Sequence, residues 1–258
     1  LIIKTELMRL VIHCNPIRLC FQDRENDTLN EEHPSFGTSW IAEKITSYRK
    51  LQPHERFVGL GEKTGNLDRR GSAYTNWNTD RFAYPVNADP LYLSVPFYIG
   101  INRNKPYGVF LDSPSKTVFN FGASNNRCSY FSTELGSMRY YFIHDTHIRK
   151  IIEAYTWLTG RQPLTPIWSL GYQQCRYSYM SAADVVRLAK TFREKRIPCD
   201  AIYLDIHYMD DFKSFTWDRD HFADPQRLVR DLKDLGFSVV TILDPGIKVE
   251  EHYDVYRS

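Results

Sequence analysis

The residues best placed to do chemistry lie between Ala201 and Asp218, in the stretch AIYLDIHYMDDFKSFTWD. Its apolar run, Ala201-Ile-Tyr-Leu204, ends in Asp205. A short apolar run after a helical pattern reads as a buried parallel strand. Asp205 then stands at the C-terminal end of that strand, where open α/β sheets and β/α barrels gather their functional loops. A carboxylate there is hydrogen-bonded or functional, because burying it unpaired is costly. Ionised, it is acceptor-only and can take two hydroxyls at once. The structural alternative is an Asp that caps its own loop or pairs with Arg176. His207 reads either as a partner supporting the site or as a loop residue, the latter favoured. Asp210, Asp211, Asp218 and Asp220, interleaved with Lys213 and Arg219, do not have the spacing of a calcium loop and read as a solvated charged turn. No metal site and no cofactor is expected.

The elements that must position Asp205 alternate between strand and helix. Ile167–Gln173 reads as a strand. Ser181 is a helix N-cap with Asp184 three positions on, and Val185, Val186, Leu188, Ala189 and Phe192 give that helix an apolar stripe. The strand Ala201–Ile206 follows. Pro225 opens a second helix, with Leu228, Val229, Leu232 and Leu235 expected to face inward, and Gly236 ends it. Ser238–Leu243 is a third strand. This order implies parallel strands joined by crossovers and fits either a β/α barrel or a doubly wound sheet. A full barrel takes roughly 250 residues, so the stretch from Ile167 onward holds three strands of one.

Before residue 145 the pattern is β. Met8–His13, Ile17–Gln22, Trp40–Tyr48, Arg56–Gly61, Leu91–Ile101, Tyr107–Leu111, Lys116–Phe121, Cys128–Thr133 and Met138–Ile143 alternate or run apolar between Gly, Pro, Asn and Ser punctuation, while Asp23–Ser35 reads as a loop. Many short strands at this spacing indicate an antiparallel sandwich. Ile148, Ile151, Ile152, Tyr155 and Leu158 then follow helical spacing up to Gly160. The expected division is a sandwich over 1–145, a connecting helix and linker over 146–162, and strand–helix units over 163–258.

Composition bounds the rest. The chain has 258 residues, 42% hydrophobic and 25% charged, with a net charge of +2. That balance carries no electrostatic footprint for nucleic acid or an anionic membrane, and no apolar run approaches the ~18 residues of a membrane span. Five Cys without a C-x-x-C pair argue against a disulfide framework or zinc site and favour a reducing compartment, hence the cytoplasm. The chain starts at Leu1 and reads as an excerpt, so a signal segment could precede it. Oligomeric state is not legible.

Three ordered blocks carry a resemblance. Tyr155-Thr-Trp-Leu-Thr-Gly-Arg161, Pro166-Ile-Trp-Ser-Leu-Gly-Tyr-Gln-Gln-Cys-Arg-Tyr-Ser-Tyr179 and Leu204-Asp-Ile-His-Tyr-Met-Asp-Asp-Phe-Lys-Ser-Phe-Thr-Trp-Asp218 resemble the α-glucosidases of glycoside hydrolase family 31. Weaker family-like pieces are Gly59-Leu-Gly-Glu62 and the Asn78-Thr-Asp80 loop. The resemblance selects the barrel and implies a galactose-mutarotase-like β-sandwich followed by the first part of a (β/α)8 TIM barrel. It implies a retaining α-glycosidase acting on α-linked gluco-oligosaccharides. Asp205 matches the carboxylate that holds sugar hydroxyls in subsite −1, Tyr177 an aromatic wall, and Ile206 and Ile242 its apolar lining. Asp80 matches a carboxylate on a loop from the sandwich. The default for Tyr177 and the two isoleucines is core packing, and for Asp80 a solvated turn.

A glycosidase of this kind needs two catalytic carboxylates on opposite sides of the scissile bond. In the family both lie after the third barrel strand, the nucleophile in a Trp-x-Asp-Met type motif. No such motif occurs here, and Asn76-Trp-Asn-Thr-Asp80 lies in the β region. This stretch alone is therefore expected to lack activity. Rival readings are an α-xylosidase of the same family, a carbohydrate-binding module without catalysis, and a doubly wound enzyme. The last lacks the phosphate-binding glycine motifs after its strands.

Overall fold

The computed structural model describes residues 1–258. It divides into two compact units, Leu1–Arg161 and Gln162–Ser258.

The first unit is built from thirteen strands: β1 (Ile2–Lys4), β2 (Met8–Cys14), β3 (Ile17–Asp23), β4 (Thr28–Glu31), β5 (Thr38–Ile41), β6 (Lys44–Lys50), β7 (Arg56–Gly61), β8 (Ala73–Asn76), β9 (Ser94–Asn102), β10 (Lys105–Leu111), β11 (Thr117–Asn120), β12 (Cys128–Thr133) and β13 (Tyr140–His144). They form three antiparallel sheets, ordered β1-β2-β3-β4, β13-β10-β9-β7 and β5-β6-β12-β11-β8. Period-two alternation sorts the side chains. Phe57, Tyr98, Tyr107, Val109 and Leu111 meet Phe119 and Phe131 of the five-stranded sheet, and Phe121 just past β11, in one core, joined by Leu29 from β4. On the opposite face of the same four-stranded sheet, Phe97, Ile99 and Phe110 pack with Ile151 and Tyr155 of the helix α1 (Ile148–Thr159).

That helix, expected as a connector, is thus an integral layer of the first unit. Gly108 is the reason it can sit so close. A Cβ there would lie 2.7 Å from the Ile151 side chain. The Phe97 and Tyr155 rings stack at 4.0 Å beside it.

Three local readings are corrected. The polar stretch 23–35 contains β4, whose Leu29 and Asn30 are buried; one leucine gives no periodicity to read. Trp40–Tyr48 is a hairpin of β5 and β6 rather than one strand, turning at Ala42-Glu43 with Ala42 at φ 53°, and no Gly or Asn marked that turn. Ile167–Leu170 is a 3₁₀ turn and not a strand. There the Ser169 hydroxyl donates to the Pro166 carbonyl at 2.7 Å, a local bond that competes with sheet pairing.

The second unit holds three parallel strands in sequence order, β14 (Gln173–Gln174), β15 (Ala201–Leu204) and β16 (Ser238–Thr241). The helices α2 (Ala182–Glu194) and α3 (Pro225–Asp234) connect them. Both start where their caps specify. Ser181 Oγ accepts from the Asp184 N–H at 3.2 Å, and Asp224 Oδ1 from that of Arg227 at 2.9 Å. Val185, Ala189, Leu228 and Leu232 close over Ile202, Leu204 and Phe237. Val229, expected inward, is 40% exposed. It stands one position past Leu228, which rotates it off the buried stripe.

Candidate active site

The C-terminal ends of β15 and β16 position the side chains singled out by the sequence. β15 stops at Leu204, and Asp205 begins a 3₁₀ turn over Ile206–Tyr208. Asp205 Oδ1 accepts from the Ile206 N–H at 2.7 Å. The cap reading is therefore right for one oxygen, while the hydrogen bonds leave Oδ2 unengaged and make no link to Arg176, whose guanidinium leans over the Tyr179 ring at 5.9 Å. The carboxylate is half-buried, so an acceptor remains at the rim of a strand end.

Ile242 arrives beside this turn through the sheet. Its N–H donates to the Leu204 carbonyl at 2.9 Å. Its own carbonyl accepts from the buried Tyr208 hydroxyl at 2.9 Å. Asp205, Ile206 and Ile242 are thereby held at one end of adjacent strands.

Tyr177 joins them from the segment after β14. It is 71% exposed, so core packing does not account for it. Its ring meets the His207 ring edge-on at 5.2 Å. His207 Nδ1 hydrogen-bonds with Ser178 Oγ at 2.8 Å, and its ring also meets Phe212 at 5.4 Å. Of the two sequence readings of His207, the supporting partner fits this geometry better than the plain loop residue. His207 is the bridge that ties the Tyr177 segment to the Asp205 turn. Cys175 was missed. Partial desolvation, and then the Asp205 charge beside it, push its thiol above the ordinary value. Nothing in the sequence around Cys175 signals this neighbour.

Three of the four aspartates of the acidic loop are paired, one of them with a lysine from outside it. Lys213 pairs with Asp210 at 2.8 Å and Glu250 at 3.4 Å, Lys248 pairs with Asp211, and His221 with Asp218 at 2.7 Å. A separate carboxylate cluster, Asp23, Glu25 and Asp27, surrounds the Lys105 ammonium. Those three carboxylates hold the Lys105 pKa above its ordinary value.

Asp80 lies in the first unit, on the long exposed loop between β8 and β9. Thr79 N–H to Leu91 carbonyl (2.9 Å) and Ser94 N–H to Asn78 Oδ1 (3.0 Å) close the base of the loop. Lys63, its side chain fully buried, pairs with Asp89 at 2.6 Å below it. Desolvation, and then the Asp80 carboxylate, raise the Tyr92 phenol above its ordinary value. Trp77, Phe82, Tyr84 and Tyr92 are all exposed on this loop.

Comparison with known proteins decides the family. Residues 162–258 match the TIM-barrel domain of glycosyl hydrolases family 31, and residues 1–120 match the family's N-terminal galactose mutarotase-like domain. The chain belongs to glycoside hydrolase family 31. It is 40% identical to Alpha-glucosidase 2 of Bacillus thermoamyloliquefaciens over 96% of its own length and 32% of that protein. A Flavobacterium johnsoniae GH31 dextranase complexed with isomaltotriose superposes with a TM-score of 0.89 at 39% identity, over 95% of this chain and 30% of that one. Alpha-xylosidase XylQ of Lactiplantibacillus pentosus is 31% identical over 85% of this chain and 29% of that protein. This family 31 chain spans about a third of the length of the relatives it matches. Its fold is the galactose-mutarotase-like sandwich and the start of the family's TIM barrel. The doubly wound reading is thereby set aside. No helix is long and apolar enough to cross a membrane.

Proposed function

We propose that the parent enzyme is a retaining α-glycosidase that hydrolyses terminal α-linked glucose from oligosaccharides, and that this chain supplies binding groups for the sugar at subsite −1. The observation that carries the reading is Asp205. One of its oxygens is fixed by the Ile206 N–H and the other is unengaged, at the end of a parallel strand. A carboxylate held this way takes sugar hydroxyls without moving. Ile206 and Ile242 offer apolar surface to the C–H faces of the ring, and Tyr177, propped by His207, offers an aromatic wall. Asp80 is a further sugar-binding carboxylate contributed by the sandwich.

Glucose is preferred to xylose as the substrate sugar because the α-glucosidase relative is 40% identical and the α-xylosidase 31%. The acid and the nucleophile are not among these residues. Both must flank the glycosidic bond on opposite sides, and Asp205 cannot fill both places. The family resemblance assigns them to later barrel strands, so the 258-residue chain by itself does not turn over an aryl α-glucoside.

The test is Asp205→Asn in the full-length parent enzyme, assayed on an aryl α-glucoside and on analogues lacking single hydroxyls. Loss of charged hydrogen bonds lowers kcat/KM on the intact glucoside by about a hundredfold or more. Analogues lacking the hydroxyls that Asp205 holds lose far less on mutation. A variant that retains near-native kcat/KM, or loses equally on every analogue, overturns the assignment.

A further inference from the structure

We infer that Lys63 and Asp89 are positioning residues: their buried ion pair sets where the loop between β8 and β9 holds the Asp80 carboxylate. The inference rests on the reading of Asp80 as a sugar-binding group and names what places that group.

β8 is the edge strand of its five-stranded sheet. An edge strand leaves alternate N–H and C=O groups without a strand partner. At Thr75 of β8 both groups are taken by one ion pair. The Thr75 carbonyl accepts from Lys63 Nζ at 2.5 Å, and the Thr75 N–H donates to Asp89 Oδ2 at 2.5 Å. Asp89 Oδ1 accepts from Lys63 Nζ at 2.6 Å, which closes the ring of bonds. The Lys63 side chain has no exposed surface, and the Tyr74 ring centroid lies 5.9 Å from its ammonium. Both oxygens of Asp89 are thus spent inside the protein.

Such a pair is a poor source of stability and a good source of position. Taking two charges out of water costs about what their attraction returns. Once they are buried, moving one away leaves the other uncompensated, which is strongly penalised. The pair therefore holds residue 89 in one place.

Residue 89 lies where the loop's return limb enters the protein. Ala88 and Leu91 beside it are buried, and the Leu91 carbonyl accepts from the Thr79 N–H at 2.9 Å. Asp80 is the next residue. From Asp80 to Asn87 every residue is exposed, so packing does not fix this span and its geometry comes from its two ends. Lys63 arrives from just past β7, so the pair ties the end of β7, the edge of β8 and the loop together. A carboxylate that grips hydroxyls gains from being in place before the sugar arrives, because a displacement of about 1 Å can cost about a hundredfold in rate.

The experiment is a mutant cycle in the full-length parent enzyme, assayed on an aryl α-glucoside. Lys63→Met combined with Asp89→Asn removes both charges, while the Asn oxygen can still accept from the Thr75 N–H. This double variant is expected to lower kcat/KM by roughly tenfold or more. Introduced on top of Asp80→Ala, it is expected to lower kcat/KM further by less than about twofold. Asp89→Glu, which keeps the charge and shifts the limb by one methylene, gives the same pattern and serves where the uncharged pair is too unstable to assay. Equal losses with and without Asp80, or native kcat/KM in the double variant, overturn the positioning role and leave Asp80 as a ligand. Native kcat/KM in Asp80→Ala alone overturns the Asp80 reading itself, and this inference with it.

Discussion

The Tyr208 hydroxyl donates to the Ile242 carbonyl at 2.9 Å, tying the turn that carries Asp205 to the strand end that carries Ile242. The proposed subsite needs both groups in register, and this bond links them across β15 and β16. Tyr208→Phe deletes the donor and leaves a carbonyl without its partner. The expected loss is about 1 kcal/mol of stability, read as a lower urea midpoint with an unchanged m-value. An unchanged midpoint would show that the Ile242 backbone bond to Leu204 alone holds the two ends together.

The buried carboxyl Glu55 sets a pH dependence in the sandwich. Burial raises it from 4.5 to about 7, against opposing bonds from the Tyr107 hydroxyl and the Gln52 N–H. The folded state thus holds this proton more tightly than the unfolded chain. The associated stability is fully present below pH 4.5 and is lost as pH rises through 7, by up to about 3 kcal/mol. Urea midpoints at pH 5 and pH 8 measure it. Glu55→Gln, which keeps the shape and cannot ionise, flattens this part of the profile; a profile of native steepness in that variant contradicts the assignment.

Helix α2 depends on its cap. Ser181→Ala removes the acceptor for the Asp184 N–H and should cost about 1 kcal/mol. Thr at 181 should restore most of it, since its hydroxyl can make the same bond.

Leu232 and Val229 make a paired test of the α3 packing. Leu232 is fully buried and Val229 is 40% exposed. Leu232→Ala should cost roughly 2–5 kcal/mol, whereas Val229→Ala should stay within about 0.5 kcal/mol. Equal costs would mean that α3 is rotated so that Leu232 and Val229 share the buried face.

The second unit was the more legible in sequence, and the reason is physical. Its caps are local: Ser181 with Asp184, and Asp224-Pro225 ahead of a stripe of leucines. The strand before Asp205 is an apolar run that no helix of that length could replace. Where local bonds compete, the reading failed, as at Ser169, whose hydroxyl turns Ile167–Leu170 into a 3₁₀ helix. In the sandwich, β4 hides because only Leu29 among its residues is apolar. The family motifs singled out Asp205, Tyr177, Ile206 and Ile242, and the structure gathers them around adjacent strand ends. The partners of His207 were out of reach of any local pattern, because two separate loops fold over one another to bring it to Tyr177 and Ser178.

The central claim is that Asp205 grips the sugar. A crystal structure of the full-length parent enzyme with glucose bound tests it most directly. The account predicts two sugar hydroxyls within about 3 Å of the Asp205 carboxylate, with Ile206 and Ile242 against the ring and the Tyr177 ring forming a wall. Glucose seated in the barrel with Asp205 beyond hydrogen-bond reach, its oxygens bonded only to the Ile206 N–H and water, would contradict it.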